Sequence, residues 1–118
     1  MKGERNLIIL NGGHSMKRIL LACSSGMSTS LLVSKMEEEA KARNLDVKIW
    51  AVAQDKAPED MKQADVLLIG PQMRFMKKKF SKVAEEVGIP LDVIDPVSYG
   101  RIDGKAVLDA ALNLIEQG

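Results

Sequence analysis

Apolar positions along this chain change period in a regular order. Residues 18–22 carry an unbroken run, Ile19-Leu20-Leu21-Ala22, of strand length. From about Met27 to Arg43 the pattern turns helical, with Leu32, Met36 and Ala40 on one face and Glu37-Glu38-Glu39 and Lys41 across the other. Glu37 and Lys41 are spaced as an i, i+4 pair, and Asn44 is placed to stop the helix. Val47 to Val52 read as a second strand. Ala57-Pro58-Glu59-Asp60 opens a short helix with proline in its first turn, ending before Ala64. Val66-Leu67-Leu68-Ile69 is uninterrupted, as expected of a central parallel strand buried on both faces, and Gly70-Pro71 ends it. The next helix is expected to carry Met73, Met76, Phe80, Val83, Ala84 and Val87 on one core-facing stripe. Lys77, Lys78 and Lys82 lie off that stripe, and Gly88 and Pro90 close it. Leu91 to Ile94 supply a fourth strand and Asp95-Pro96 a turn. The last helix starts at an Asp103 N-cap and runs through Val107, Leu108, Ala111, Leu112 and Ile115.

Strands that alternate with helices pair in parallel through right-handed crossovers. The expected fold is α/β: a single three-layer domain with a four-stranded parallel sheet, flavodoxin-like, in strand order 2-1-3-4. At 118 residues the chain is long enough for one core without disulfides or metal. Its longest apolar runs are four or five residues, far short of the ~20 needed to span a membrane. Residues 1–15, with an Ile-rich patch from Leu7 to Leu10 too short for a secretory signal, are expected to be a flexible leader. Met16 then opens the folded domain, 16–118. An extra edge strand over Leu7 to Leu10 is the weaker reading.

Charge and composition narrow the function by exclusion. A net charge of +1 and 3% aromatics give neither the basic footprint nor the stacking platforms of a nucleic-acid binder. One cysteine and one histidine exclude an internal disulfide and argue against a protein-built zinc site. No metal and no cofactor is expected, and a reducing cytoplasm is the natural setting. His14, in the leader, is assigned nothing.

The single cysteine is the informative residue. Cys23 stands where the first strand breaks into Ser24-Ser25-Gly26-Met27-Ser28-Thr29-Ser30 and a helix begins. Ligands of open parallel sheets bind beyond the carboxyl ends of the strands. A helix N-terminus offers unpaired N–H groups to an anion and favours the nucleophilic form of a thiol. Strand, cysteine, loop and helix in this order resemble the phosphate loop of low-molecular-weight cysteine phosphatases. Those enzymes place an arginine six residues after the nucleophile, and here that place holds Thr29. No Arg or Lys occurs between Cys23 and Lys35. Backbone N–H groups and the hydroxyls of Ser24, Ser25, Ser28, Thr29 and Ser30 would therefore hold a phosphoryl group. Without a guanidinium to stabilise transfer to water, such a loop suits a phosphate carrier better than a phosphatase.

The segment Ile19 to Leu32, with its Cys-x-x-Gly-x-Ser-Thr-Ser core at Cys23 to Ser30, resembles the phosphorylation loop of one protein family. That family is the EIIB components of the bacterial phosphoenolpyruvate-dependent sugar phosphotransferase system, lactose/cellobiose/chitobiose class. Gly70-Pro71-Gln72 is similar to the family too, as are Ile94-Asp95 and Tyr99-Gly100-Arg101-Ile102-Asp103-Gly104; the likeness runs from Met16 to about Ile115. The resemblance implies a transferase: Cys23 takes phosphate from the phosphohistidine of an EIIA protein and passes it to sugar held by the EIIC membrane permease. It implies that residues 24–30, Gly26 and Met27 included, cradle the phosphoryl oxygens. Gln72, Tyr99, Arg101 and Asp103 are expected at the rim. A monomer that docks transiently at the inner membrane face is expected, with the sugar undetermined.

Blander roles stand beside these. A cysteine at a strand end is often a small core residue, and Ser28, Thr29 and Ser30 can simply cap a helix. Lys77-Lys78-Lys79 with Lys82 is ordinarily a solvated face, with partner steering the lesser reading. Arg101 reads equally as a surface residue, and Asp103 more simply as a cap. The residues also leave open a stand-alone cysteine phosphatase or thiol reductase, and a flavin-phosphate binding module. The missing arginine, the missing second cysteine and the shortage of aromatics around Trp50 and Tyr99 count against these in turn.

Overall fold

Four parallel strands, ordered β2-β1-β3-β4, form the middle layer of the protein among the residues described, 16–23 and 26–117 of a computed structural model. The elements are β1 (Lys17–Cys23), α1 (Gly26–Ala42), β2 (Val47–Ala53), α2 (Ala57–Met61), β3 (Val66–Ile69), α3 (Lys77–Val87), β4 (Leu91–Val93), α4 (Pro96–Gly100) and α5 (Gly104–Gln117). A 3₁₀ helix, Pro71–Met76, joins β3 to α3. The expected fold class and strand order are both present. The leader and its alternative edge strand at Leu7 to Leu10 lie outside the described residues.

The unbroken apolar runs become the two central strands because both of their faces are covered. Ile19, Leu21, Val66 and Leu68 pack with Leu32, Met36, Val107, Leu108 and Ala111 of α1 and α5. Leu20, Ala22, Leu67 and Ile69 pack on the other face with Met61, Met73, Phe80 and Ala84 of the α2–α3 layer. β1 pairs with β2 from Lys17↔Val47 to Cys23↔Ala53, and with β3 from Ile19↔Val66 to Ala22↔Ile69. The order reverses between β1 and β3, so the crevice beyond their carboxyl ends is the switch point where such sheets bind ligands. Cys23 is the last residue of β1 and lies at that point.

Local chemistry terminates the elements as their sequences suggest. α1 ends in a Schellman motif: Asn44 adopts φ 56°, its N–H donates to Lys41 O, and Leu45 N–H donates to Ala40 O. Asp103 caps α5, its Oδ1 accepting from Ala106 N at 3.1 Å.

Two sequence expectations need correction. The stripe from Met73 to Val87 is not one helix, since Met73 has non-helical dihedrals (φ −111°, ψ 17°) inside the 3₁₀ segment and Met76 is the N-cap of α3. Met73 is still core, because the tighter 3₁₀ turn directs it onto Phe80's layer. Asp95-Pro96 is more than a turn. It opens α4, with Asp95 Oδ2 accepting from Ser98 N at 3.0 Å and Pro96 in the first turn.

Candidate active site

Three of the four connections that leave the carboxyl edge of the sheet each deliver one side chain to Cys23. The loop after β1 enters α1, whose Thr29 is 1% exposed and places Oγ1 in direct hydrogen-bond contact with the Cys23 sulfur. The 3₁₀ segment after β3 brings Gln72, whose Nε2 lies 3.6 Å from Sγ. The connection after β4 forms α4, whose Tyr99 Oη lies 3.6 Å from Sγ and 3.2 Å from Thr29 Oγ1. Gln72 Nε2 also donates to Tyr99 Oη at 3.2 Å. Cys23 itself is 4% exposed, a thiol roofed by two hydroxyls and an amide.

Backbone details hold these groups in place. A Cβ on Gly70 would meet Gln72 Oε1 at 2.8 Å, so the glycine leaves room for the amide to fold back over the strand end. Its own dihedrals (φ −58°, ψ 146°) suit any residue, and space is what it supplies. α4 is fastened at both ends. Beyond the Asp95 cap, a second Schellman motif closes it: Ile102 N–H donates to Tyr99 O at 3.1 Å and Asp103 N–H to Ser98 O at 2.9 Å. Ile102 therefore takes φ 55°, a left-handed conformation costing a β-branched residue about 1–2 kcal/mol. The next helix is pressed against α1, since a Cβ on Gly104 would lie 2.5 Å from the carbonyl carbon of Lys35. Thr29 on α1 and Tyr99 on α4 are thus held relative to each other through α5.

Of the residues expected at the site, Cys23, Thr29, Gln72 and Tyr99 meet. Gly26, Met27 and Ser28 are described as backbone of the first turn of α1, Ser30 is exposed, and Ser24 and Ser25 lie outside the described residues. Asp103 spends its carboxylate on capping α5, and Arg101 is exposed with no side-chain hydrogen bond or ion pair among the described residues. Gly70, Ile102 and Gly104, which the sequence offers only as parts of family-like motifs, support the site through the geometry given above. Trp50 is engaged away from it, donating through Nε1 to Asp60 Oδ2 at 2.9 Å with Lys48 over its ring. Among the described residues there is no cluster of three metal-ligating side chains, and no helix is long and apolar enough to cross a membrane.

The arrangement can hold a tetrahedral anion on sulfur by hydrogen bonds from neutral groups and from the amides of a helix start. A threonine hydroxyl stands against the sulfur at the position where a phosphatase would place its arginine.

Known proteins share this architecture. The family described as "PTS system, Lactose/Cellobiose specific IIB subunit" matches residues 18–110. The oligo-beta-mannoside-specific EIIB component of Bacillus subtilis is 56% identical over 100 residues, covering 85% of this chain and 97% of that protein. The cellobiose-specific EIIB component of Lactococcus lactis subsp. lactis is 46% identical, covering 84% of this chain and 96% of that protein. Among solved structures, the cellobiose-specific phosphotransferase IIB component of Borrelia burgdorferi superposes with a TM-score of 0.76 at 38% identity, covering 89% of this chain and 96% of that one. The lactose-specific IIB domain of Streptococcus pneumoniae, at 19% identity and a TM-score of 0.77, shares the fold. With the family match over residues 18–110 and relatives of this identity and coverage, the chain belongs to the lactose/cellobiose-specific IIB family and is a phosphoryl-transfer component of a sugar phosphotransferase system.

Proposed function

We propose that Cys23 is the residue that carries the phosphoryl group. Its sulfur attacks the phosphorus of a phosphohistidine on EIIA, forming the S–P bond as the N–P bond breaks. The thiol proton ends on the departing imidazole. A sugar hydroxyl held by the EIIC permease then attacks phosphorus. The S–P bond breaks, the hydroxyl proton is released, and the sulfur is restored. The amides at the start of α1, with the hydroxyls of residues 24–30, hold the phosphoryl oxygens. Thr29 Oγ1 and Tyr99 Oη are the hydroxyls already against the sulfur, and Gln72 adds an amide donor.

The observation that carries this reading is that the described side chains over Cys23 (Thr29, Gln72 and Tyr99) are a hydroxyl, an amide and a phenol, combined with the absence of Arg or Lys from residues 24–34. Donors that stabilise a held phosphoryl group, with no guanidinium, carboxylic acid or imidazole against the sulfur among the described residues, favour storage over hydrolysis. Arg101 and Asp103 act outside this inner group, Asp103 as a helix cap. Sugar choice belongs to the permease. Relatives sharing 46–56% of this sequence are named for oligo-beta-mannoside, galactose and cellobiose, as expected when this subunit does not select the sugar. Residues 16–118 act as one phosphocarrier domain, a monomer in the cytoplasm that docks transiently on EIIA and on the permease.

The test is phosphorylation from labelled phosphoenolpyruvate through the general phosphotransferase proteins and EIIA. Wild type takes stable label and Cys23→Ser takes none. An unlabelled wild type beside an active EIIA, or label retained by Cys23→Ser, overturns the proposal.

A further inference from the structure

The helix α3 is charged against its own dipole. Lys77, Lys78 and Lys79 fill its first turn, where the helix end is positive, and Glu85 and Glu86 fall in its last turn, where it is negative. Both placements oppose helix stability. Arg74, just before the helix, and Lys82 extend the basic stretch, and all five cations are exposed. None of them has an ion-pair partner among the described residues. A ridge that weakens its own helix is explained by something outside the fold.

Its position says what. Phe75, 77% exposed, stands between Arg74 and the lysines, three residues after the Gln72 that touches Cys23. Two other large apolar residues are exposed in the same relation: Leu31 lies two residues after Thr29, and Val97 two residues before Tyr99. Each of the three elements that bring a side chain to the sulfur thus also carries one exposed apolar residue within three positions of it. Among the described residues, the remaining exposed large apolar ones, Met16 and Leu45, adjoin the starts of β1 and β2 at the opposite edge of the sheet.

We infer that Leu31, Phe75 and Val97 form the apolar contact ring for the phosphoryl donor, and that the ridge Arg74/Lys77/Lys78/Lys79/Lys82 captures an acidic flank of that donor. This rests on the carrier reading given above. The donor arrives with a phosphohistidine that adds negative charge, while the receiving loop offers no cation. The ridge supplies the long-range attraction, and the ring excludes water while the S–P bond forms. An anionic lipid surface is disfavoured as the occupant, because lipid against this edge would cover the thiol that must meet a soluble protein.

The test measures the transfer rate from phosphorylated EIIA to the full chain at about 20 mM and about 500 mM ionic strength, where screening differs several-fold in range. Lys77→Glu/Lys78→Glu/Lys79→Glu is compared with Lys17→Glu/Lys41→Glu/Lys48→Glu, which makes the same charge change away from α3. The ridge variant is expected to transfer about tenfold or more slowly at low salt, approaching wild type at high salt. It is also expected to melt above wild type, because acids in the first turn suit the dipole. The remote variant keeps a rate much closer to wild type. Phe75→Ser slows transfer at both salt concentrations.

A ridge variant with the wild-type rate at low salt overturns the inference. So does equal slowing in the remote variant, which would make net charge the cause. Loss of binding to phosphatidylglycerol vesicles with transfer unchanged would assign the ridge to lipid instead. If wild type itself takes no label, the carrier reading falls, and the ridge proposal with it.

Discussion

The two ends of α1 are built from opposite chemistry. At its start, Thr29 touches Cys23 and Tyr99, and Gln72 donates to Tyr99 from a further loop, so amide and hydroxyl side chains gather there. At its finish, Arg43 donates to Glu39 one turn back at 2.7 Å and to Asp109 of α5 at 2.6 Å. Those hydrogen bonds hold the Asp109 carboxyl below its ordinary range and raise the Arg43 guanidinium further, desolvation opposing both shifts. Full charges pair where the helix is only being held. On the proposed reading, the described side chains at the phosphoryl site are uncharged donors, which release an anion more readily than a guanidinium would.

The seam between α1 and α5 connects these ends, and Gly104 is its tightest point. Gly104→Ala restricts the unfolded backbone, which in principle favours the folded state by about 0.4–1 kcal/mol. Its Cβ, however, would sit 2.5–2.7 Å from the backbone and Cβ of Lys35, so two helices must separate. The expected net loss is about 1–3 kcal/mol, read as a lower urea midpoint. A midpoint equal to or above wild type would show that the seam yields freely.

At the neutral end, Thr29→Val keeps the shape and removes the hydroxyl from the sulfur. Transfer to Cys23 is expected to slow about tenfold, a barrier change of about 1.4 kcal/mol. Stability should move by no more than the ~0.5–1.5 kcal/mol of one hydrogen bond. Wild-type transfer by Thr29→Val would reduce Thr29 to a packing residue.

At the charged end, Asp109→Asn should show the opposite signature, in stability and not in transfer. A carboxyl whose pKa is depressed by folding contributes stability above its unfolded value of about 3.9, and that contribution is lost as pH falls through the lower folded value. Wild type should therefore exceed Asp109→Asn at pH 7, with the gap closing on acidification below about pH 4. The effect is small because both side chains are partly exposed. A gap independent of pH would mean that the ion pair is not its source.

Legibility in the sequence followed the same division. β1 and β3 were readable because burial on both faces demands unbroken apolar runs, and Asn44 and Asp103 were readable because caps are local. α4 was not, since Pro96-Val97-Ser98-Tyr99-Gly100 is too short for a periodic stripe. Its helix rests on the Asp95 cap and on a left-handed Ile102, a residue type that no local rule would place there. Cys23 and Thr29 were legible from their spacing. Gln72 and Tyr99 were legible only as rim residues, from likeness to a family and from loops expected at one sheet edge, because their meeting at the sulfur depends on where three loops end. The ridge on α3 was visible as a run of lysines, but its conflict with the helix dipole required knowing that the helix begins at Lys77 and not at Met73.

Gly70 offers the finest test of how the neutral end is assembled. Alanine fits its dihedrals, and the three atoms nearest to its Cβ would all belong to the movable Gln72 amide, Oε1 at 2.8 Å, Cδ at 3.2 Å and Nε2 at 3.3 Å. Gly70→Ala should therefore leave stability within about 0.5 kcal/mol of wild type. What it displaces is the amide, and with it the contacts from Gln72 Nε2 to Cys23 Sγ and Tyr99 Oη. Transfer should slow a few-fold, by the same factor as Gln72→Ala. In the double variant the two losses should not add, because both remove one interaction. Additive losses would mean that Gly70 acts on the sulfur by a route other than Gln72, and that the amide is not what the glycine makes room for.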